Sequence, residues 1–259
     1  MTELERCISF LRELERRAAG RQVPFLFGTA YLRDELPHVW SRNYLSLERD
    51  LERATAEQVH KEAERLLGEA GVAHRKIEVF DAEAGARLAT GLADLGWQVE
   101  CDVVMVAARD PDREADPSVA EEVSHEALVP VWAESNRSEG QIVEEEVIRQ
   151  LADGKRVLSS AIDVRFFGAR ADGEIGAYCE LYSLGGTAQV ENVLTLERHR
   201  NRGLARALVL RALAASRAAG NDLTFLLANR DDWPRELYQK LGFDEVGLIY
   251  DFVIPPRKQ

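Results

Sequence analysis

The sequence predicts a fold of the α+β or α/β class, in which strands alternate with helices around a sheet. Residues 187–196 are rich in β-branched side chains and predict a strand, whereas residues 204–215 have high helix propensity and contain neither Pro nor Gly. A second strand-like segment, 223–227, follows that helix, and Gly185-Gly186 is typical of a two-residue hairpin turn. This order of elements predicts a sheet with helices packed on it.

The other elements follow from the same patterns of apolar spacing and turn residues. In the second half we expect strands at 119–128, 161–169 and 174–184, and helices at 129–135 and 143–151. In the first half we expect helices at 54–69 and 83–94, and strands at 25–32, 74–80 and 103–107. Gly85 and Gly91 weaken the helix at 83–94, and Gly28 indicates a bulge or a close approach of another backbone segment.

A polar segment at 109–117, which contains two prolines, separates the halves of the chain. We therefore predict an N-terminal domain at 1–110 and a second domain at 118–259. The second domain contains the segment with the clearest chemistry, a glycine-containing loop between the strand at 187–196 and the helix at 204–215. Such a loop exposes backbone N–H groups at the positive end of the helix dipole and suits an anion.

The charge around this loop also favours an anionic ligand. The chain has a formal net charge of −12, yet no Asp or Glu lies between residues 198 and 217. Six arginines occupy that stretch: Arg198, Arg200, Arg202, Arg206, Arg211 and Arg217. A phosphate-bearing ligand fits this cluster, with a solvated basic helix face as the alternative for Arg206, Arg211 and Arg217.

These residues resemble the GNAT superfamily of N-acetyltransferases over roughly residues 118–255. Arg200, Gly203 and Ala205 match the family's Q/R-x-x-G-x-G/A pyrophosphate loop. The preceding strand carries Glu191-Asn192-Val193, and residues 237–243 resemble the family's L-Y-x-x-x-G-F signature. The resemblance implies a mixed, mostly antiparallel central sheet flanked by helices, and acetyl-CoA as the cosubstrate.

The resemblance also implies which residues hold the cosubstrate. The backbone of the strand at Val193, Leu194 and Thr195 is expected to pair with pantetheine. The pyrophosphate is expected to be held by backbone N–H groups and arginine side chains of the turn, at Arg200, Arg202, Gly203, Leu204 and Ala205. Where many relatives carry an Asn that contacts the cofactor, this chain has Asp231, so we assign that contact to Asn229. Asp231 or Asp232 is expected to be a helix N-cap before Pro234.

Two residues are candidates for the chemistry of amine acylation. Glu191 is the candidate base, with a solvated or arginine-paired carboxylate as the alternative. Glu180 and Tyr178 are second choices for the base, and a role as substrate contacts or surface residues is the favoured alternative for both. Tyr238 is the candidate general acid for the departing CoA thiolate, with simple packing on the sheet as the alternative.

The first half resembles a shortened copy of the second. Leu95-Gly96-Trp97 precedes a strand, as Leu241-Gly242-Phe243 does, but the first half contains no R-x-x-G-x-A turn. We therefore expect a tandem GNAT-like chain whose smaller N-terminal α/β domain binds no CoA, with an unrelated α/β cap as the alternative.

Composition limits the function further. Three isolated cysteines and five scattered histidines indicate no metal site, and the absence of a long apolar run or signal peptide predicts a cytoplasmic protein that contacts no membrane. The negative net charge argues against nucleic-acid binding, and a homodimer is compatible with the sequence. We expect an acetyltransferase that acts on a primary amine of a small molecule or peptide. The alternative is a non-catalytic acyl-CoA-binding regulatory module.

Overall fold

A computed structural model describes residues 1–138, 142 and 144–256 of the chain. The helices are α1 (Glu3–Ala18), α2 (Ala56–Glu69), α3 (Ala82–Asp94), α4 (His125–Ser138), α5 (Glu145–Ala161), α6 (Leu204–Ala218) and α7 (Pro234–Lys240). The strands are β1 (Arg21–Phe25), β2 (Gly28–Leu32), β3 (Tyr44–Leu47), β4 (Arg75–Val79), β5 (Gln98–Ala107), β6 (Ala120–Val123), β7 (Asp163–Ala171), β8 (Glu174–Leu184), β9 (Thr187–Thr195), β10 (Leu223–Asn229) and β11 (Phe243–Ile254). The expected fold class, an α+β fold with a mixed sheet flanked by helices, is confirmed.

The chain forms two compact units that are not contiguous halves. The first, here the C unit, contains Met1–Phe10, Val104–Ala228 and Asp232–Val246, and the second, here the N unit, contains Leu11–Val103, Asn229–Asp231 and Gly247–Gln259. The expected division was 1–110 and 118–259. The C unit instead includes the first ten residues of the chain, and the N unit includes the C-terminal segment from Gly247. The end of the expected second domain, 257–259, lies outside the described residues.

The C unit is built on five strands in the order β10-β9-β8-β7-β6. The pairs β9–β8, β8–β7 and β7–β6 are antiparallel, and β10 runs parallel to β9. Neighbouring residues of β7 mark the two faces of this sheet. Phe166 packs on Trp132 of α4, with ring centroids 5.5 Å apart, and Arg211 of α6 lies over Phe167. Helices therefore cover both faces, as alternation along a strand requires.

Several predicted boundaries in the C unit were wrong. The strand expected at 119–128 ends at Val123, because the Ser124 hydroxyl accepts the N–H of Ala127 and α4 begins at His125. The helix expected at 143–151 runs from Glu145 to Ala161, and Val143 itself lies outside the described residues. The hairpin at Gly185-Gly186 is confirmed, with φ values of 58° and 80°.

The N unit carries its own five strands in the order β1-β2-β3-β4-β11, with β3 and β4 parallel. Its apolar core lies between one sheet face and helices α2 and α3, and includes Leu45, Ile77, Val59 and Leu88. The chain order β2-β3-α2-β4-α3-β5 repeats the order β8-β9-α6-β10-α7-β11, and in both series the strands on either side of the first helix pair in parallel. This repetition supports the tandem interpretation.

Glycines explain two differences between pattern and structure in the N unit. The strand expected at 25–32 is instead the β1–β2 hairpin, and a Cβ on Gly28 would lie 1.8 Å from the carbonyl oxygen of Ser46. The expected close backbone approach is therefore confirmed. Gly85 lies within α3, where a Cβ would come within 2.3 Å of the Tyr250 ring, so the glycine allows close packing of helix on sheet.

The described residues contain neither a membrane-spanning helix nor a cluster of metal-ligating side chains. No helix among them is long and apolar enough to cross a membrane. No group of three or more His, Cys, Asp or Glu residues among residues 1–138, 142 and 144–256 could hold a metal ion.

Candidate active site

The predicted anion turn opens directly into the N-terminus of α6. Asn201 has φ of 62° and Gly203, the N-cap residue, has φ of 78°, as the turn was expected to require. No side chain caps the helix at Gly203, and the first intrahelical bond runs from Ala207 N to Gly203 O at 3.1 Å. The N–H groups of the preceding first turn have no intrahelical acceptor and point outward with positive potential.

Gly203 is required for its backbone conformation and not for space. A Cβ built on it meets no protein atom within 4 Å, so it would project into open space beside the turn. A positive φ nevertheless strains any residue with a Cβ. A phosphate placed against these amides would find room and donors together, which is the arrangement that suits an anion.

A single cavity of about 850 Å³ brings most of the predicted site residues together. Its wall includes Val193, Leu194 and Thr195 of β9, the turn residues Arg200, Arg202, Gly203, Leu204 and Ala205, and Tyr238 of α7. The volume lies in the range of pockets that take a cofactor-sized molecule. Glu191 and Asn229 are not part of this wall.

The strand that borders the cavity is irregular. The parallel ladder between β9 and β10 has the pairs Thr187–Leu223, Ala188–Thr224 and Gln189–Phe225 within the described residues, and both strands continue past it. On the other side of β9 the register shifts, because Tyr178 pairs with Leu194 whereas Glu180 pairs with Glu191. Asn192 lies in this bulge with φ of 53°. The bulge and the short ladder leave the β9 edge at 193–195 available to an amide-rich ligand.

The arginines of the turn have protein partners. Arg202 Nη1 donates to Asp172 Oδ2 at 2.6 Å, and Arg200 Nε donates to the Thr195 carbonyl oxygen at 3.2 Å. The solvated helix face is wrong for Arg206, which is 6% exposed and donates to Asp112 Oδ1 at 2.5 Å. That contact lowers the pKa of Asp112. Arg217 is exposed, in agreement with the solvated alternative for that residue.

Tyr238 both packs on the core and borders the cavity. It is buried, and its ring meets that of Phe243 edge to face with centroids 6.2 Å apart. Burial raises the pKa of the Tyr238 phenol well above its ordinary value, and the negative charge of Glu191 adds to this effect. The phenol is therefore a neutral hydrogen-bond donor near neutral pH.

The two candidate carboxylates face each other across the β8–β9 ladder but have different surroundings. Glu180 is fully buried, forms an ion pair with Lys155 and accepts a hydrogen bond from Tyr182 Oη at 2.5 Å. The expectation that Glu180 is a surface residue was therefore wrong. Glu191 is half-buried and accepts from Gln189 Nε2 at 2.6 Å.

Sequence reasoning missed Lys155 and Tyr182 as the partners of Glu180. Lys155 lies on α5, 25 residues from Glu180 in sequence, and its ammonium is 4.9 Å from the centroid of the Trp132 ring. A signal was present at Glu180 itself, because a carboxylate inside an otherwise apolar strand needs a partner. The sequence does not say which cation supplies it.

The segment before α7 differs from its prediction. Trp233 occupies the N-cap position without a side-chain cap, and Asp232 Oδ1 accepts the N–H of Trp233 at 2.8 Å. The N-cap role expected of Asp231 or Asp232 was therefore wrong. Asn229 Oδ1 accepts the N–H of Asp231 at 2.9 Å, so its side chain stabilises this loop.

The N unit lacks the features that form the cavity in the C unit. The α2 N-terminus is closed by a capping box, in which Thr55 accepts the N–H of Gln58 and the Gln58 side chain accepts the N–H of Thr55. The β3–β4 ladder continues through Leu47 and Val79, the last residues of both strands. That this copy binds no CoA stays a prediction.

Comparison with known proteins agrees with this geometry. Residues 163–245 match the acetyltransferase (GNAT) domain family. A functionally unknown conserved protein from Staphylococcus epidermidis has a similar fold, with a TM-score of 0.66 and 14% identity over 90% of this chain and 93% of that one. A GCN5-related N-acetyltransferase from Kribbella flavida has a TM-score of 0.62 and 20% identity, and the match covers 97% of this chain and 95% of that one.

A tandem GNAT protein from the clavulanic acid biosynthesis pathway also has a similar fold. Its TM-score is 0.52 at 16% identity, over 78% of this chain and 70% of that one. No curated protein sequence matches the chain significantly. GNAT acetyltransferases use acetyl-CoA as the acetyl donor. The region that matches the acetyltransferase (GNAT) domain family, residues 163–245, contains the β9 bulge, the turn at Gly203 and Tyr238.

Proposed function

We propose that this protein transfers an acetyl group from acetyl-CoA to a primary amine of a small molecule or peptide. The observation that carries the proposal is the shared cavity, in which the open N-terminus of α6, the β9 edge and Tyr238 lie together. The first two features suit the pyrophosphate and the pantetheine amides of the donor. The third suits a leaving thiolate.

The donor is positioned by backbone more than by side chains in this proposal. The N–H groups of the turn at Gly203 and Leu204 take the pyrophosphate, and Arg202 turns from Asp172 to add a charge-assisted hydrogen bond. The β9 edge at 193–195 pairs with pantetheine and so brings the thioester to the bulge at Asn192. A backbone amide of this edge that reaches the thioester oxygen stabilises the negative charge that develops there.

Glu191 and Tyr238 divide the proton chemistry. Glu191 takes a proton from the ammonium form of the acceptor, directly or through a water, and the neutral amine then attacks the thioester carbonyl carbon. The attacking nitrogen, now cationic, loses its second proton to bulk solvent, and the carbon–sulfur bond breaks with the electron pair leaving on sulfur, which gives the amide and the CoA thiolate. The raised pKa of Tyr238 makes complete proton transfer to a thiolate unfavourable, so its phenol stabilises the thiolate by donating a hydrogen bond.

An amine-panel assay tests this function. Purified protein is incubated with acetyl-CoA and individual primary amines, and release of the CoA thiol is followed colorimetrically. Arg202→Glu is expected to raise the KM for acetyl-CoA about tenfold or more, because it replaces a cation at the phosphate with an anion. Arg217→Glu, an exposed arginine on the last turn of the same helix, is the matched control and is expected to leave KM unchanged.

The alternative, a non-catalytic acyl-CoA-binding module, gives a different result in the same assay. It predicts saturable acetyl-CoA binding that depends on Arg202, with no thiol release for any amine. Equal KM values for the Arg202 and Arg217 variants would instead contradict the placement of the donor.

A further inference from the structure

The N unit carries a polar region on the sheet face opposite its apolar core. Four side chains are aligned by register in one line across β2, β3, β4 and β11, here called the polar row: Thr29, Ser46, Glu78 and Asp251. Their neighbours along the same strands, such as Leu45, Ile77 and Phe252, are fully buried in the core. Because side chains alternate between faces, the polar row points away from α2 and α3.

Carboxylates near the polar row share few cations. Lys76 Nζ lies 2.6 Å from Glu78 Oε1 and 3.5 Å from Asp251 Oδ2, so one ammonium serves both carboxylates. Glu15 is paired with Arg42 at 2.9 Å. Among the described residues, Lys76 and Arg42 are the two cations that form ion pairs with Glu15, Glu78 and Asp251.

Two more carboxylates belong to the same region. Glu48 accepts hydrogen bonds from the hydroxyls of Thr29 at 3.1 Å and Tyr31 at 3.2 Å, which are neutral donors. Asp102 is half-buried and close enough to Lys76 and Glu78 for their charges to affect its pKa, which is raised mainly by burial. Among the described residues, ion pairs link Arg42 to Glu15 and Lys76 to both Glu78 and Asp251, whereas none is found for Glu48 or Asp102. Half-buried carboxylates that lack a cation of their own are stabilised by an added cation.

Ser46 gives an independent indication of a ligand. It is 1% exposed, and its Oγ is buried without a hydrogen-bond partner among the described residues. In the register it lies between Thr29 and Glu78, so its hydroxyl belongs to the same face as these polar groups. A buried hydroxyl without a partner destabilises a protein, and a donor group from a ligand would satisfy it.

We propose that the polar row binds the ammonium groups of a small aliphatic diamine. Ammonium groups offer several donors each and so match carboxylate and hydroxyl acceptors spread along neighbouring strands about 4.8 Å apart. The described residues hold no cluster suited to a metal ion, which needs its ligands close around one point. The side chains of Glu78 and Asp251 retain 14% and 19% exposure, so solvent reaches these two carboxylates of the row.

Calorimetry on the full-length protein tests the proposal, with 1,4-diaminobutane as the probe and no acetyl-CoA present. We expect saturable binding and a rise in Tm with diamine concentration, since a ligand of the native state stabilises it. The neutral analogue 1,4-butanediol is expected to do neither. Glu78→Gln is expected to weaken diamine binding at least about tenfold through loss of a charge-assisted hydrogen bond. Glu69→Gln, an exposed carboxylate on α2, is the matched control and is expected to bind normally.

Ser46→Ala distinguishes a ligand-binding role of Ser46 from a purely structural one, because the variant is expected to change Tm and diamine affinity in opposite directions. Removal of an unsatisfied hydroxyl is expected to raise the Tm of the free protein, yet weaken diamine affinity about three- to tenfold. This variant keeps the test decisive if Glu78→Gln does not fold. A higher Tm with unchanged diamine affinity would overturn the proposal, as would absence of binding at millimolar diamine. Loss of binding in Glu191→Gln together with normal binding in Ser46→Ala would move the site to the C unit and also overturn it.

Discussion

Arg202, the arginine at the centre of the anion turn, donates a hydrogen bond to Asp172 at 2.6 Å. Asp172 lies in the tight turn between β7 and β8 with φ of 54°. Both side chains are substantially exposed, at 46% and 65%, so the ion pair is worth little by itself. It nevertheless places a carboxylate where a phosphate of the donor would compete for the same guanidinium.

Asp172→Asn is therefore expected to tighten acetyl-CoA binding by about two- to fivefold, which corresponds to the energy of a surface ion pair. Asn tolerates a positive φ as well as Asp does, so the turn keeps its shape. Calorimetry measures the change in affinity, and raising the salt concentration should shrink the difference. Weaker binding in Asp172→Asn would mean that Asp172 positions Arg202 for the ligand.

Tyr238→Phe is expected to lower kcat about 10- to 100-fold while the KM for acetyl-CoA changes less than twofold. The substitution removes the hydroxyl that we propose as the hydrogen-bond donor to the leaving sulfur but keeps the ring that packs on Phe243. Steady-state kinetics separates the two constants, and thermal unfolding checks that the ring still packs. A kcat equal to that of the wild type would leave Tyr238 with a packing role alone.

Substitution of Glu191 is expected to affect catalysis, whereas substitution of Glu180 is expected to affect stability. Glu191→Ala should lower kcat about 100-fold or more, and added formate should restore part of the activity if the lost group is a base. Glu180→Gln should lower the free energy of unfolding by roughly 3 kcal/mol, because Lys155 loses the partner of a buried ion pair. Chemical denaturation and kinetics of both variants check this assignment, and formate rescue of a Glu180 variant would reverse it.

Asp251 is expected to make the stability of the protein depend on pH. Burial raises the pKa of Asp251 to about 7, and the charges of Glu78, Asp102 and Glu100 add to this effect against the attraction of Lys76. An unfolded Asp titrates near 3.9. Between about pH 4 and pH 7 Asp251 is therefore protonated in the folded state and ionised in the unfolded state. The contribution of Asp251 to the free energy of unfolding is greatest below about pH 4 and falls as pH rises towards 7.

Asp251→Asn removes this contribution, since an amide does not titrate in this range. The difference in free energy of unfolding between Asp251→Asn and the wild type should therefore move in favour of the variant as pH rises from 4 to 7. Urea denaturation at several pH values measures it, with Glu69→Gln, an exposed carboxylate of the same unit, as control. A difference that is constant with pH would contradict the raised pKa.

The elements and the turn that lines the cavity were largely predictable, because their signals are local. Gly203 needs a positive φ, and residues 204–215 favour a helix by composition alone, so strand, turn and helix could be placed from the sequence. The same holds for Gly185-Gly186. The family resemblance predicted that Tyr238 and this turn belong to the same site, and both Tyr238 and Gly203 line one cavity.

The parts that were not predictable depend on contacts between distant residues. The pairing of Lys155 with Glu180, the burial of Arg206 against Asp112 and the exchange of chain ends between the two units leave no periodic signal in the sequence. Helix boundaries failed for a local reason, since a single hydroxyl at Ser124 ends one element and starts the next. Patterns fix the type of an element better than its ends.

Calorimetric titration of acetyl-CoA into Gly203→Val and Gly220→Val tests the central claim most directly. Both glycines flank α6, have φ of about 80° and leave open space where a Cβ would stand, so the two variants carry similar backbone strain. Of the two, Gly203 lines the cavity. Acetyl-CoA affinity is predicted to fall at least about tenfold in Gly203→Val and to stay within twofold of the wild type in Gly220→Val. Equal affinities in the two variants would contradict the assignment of this turn to the pyrophosphate.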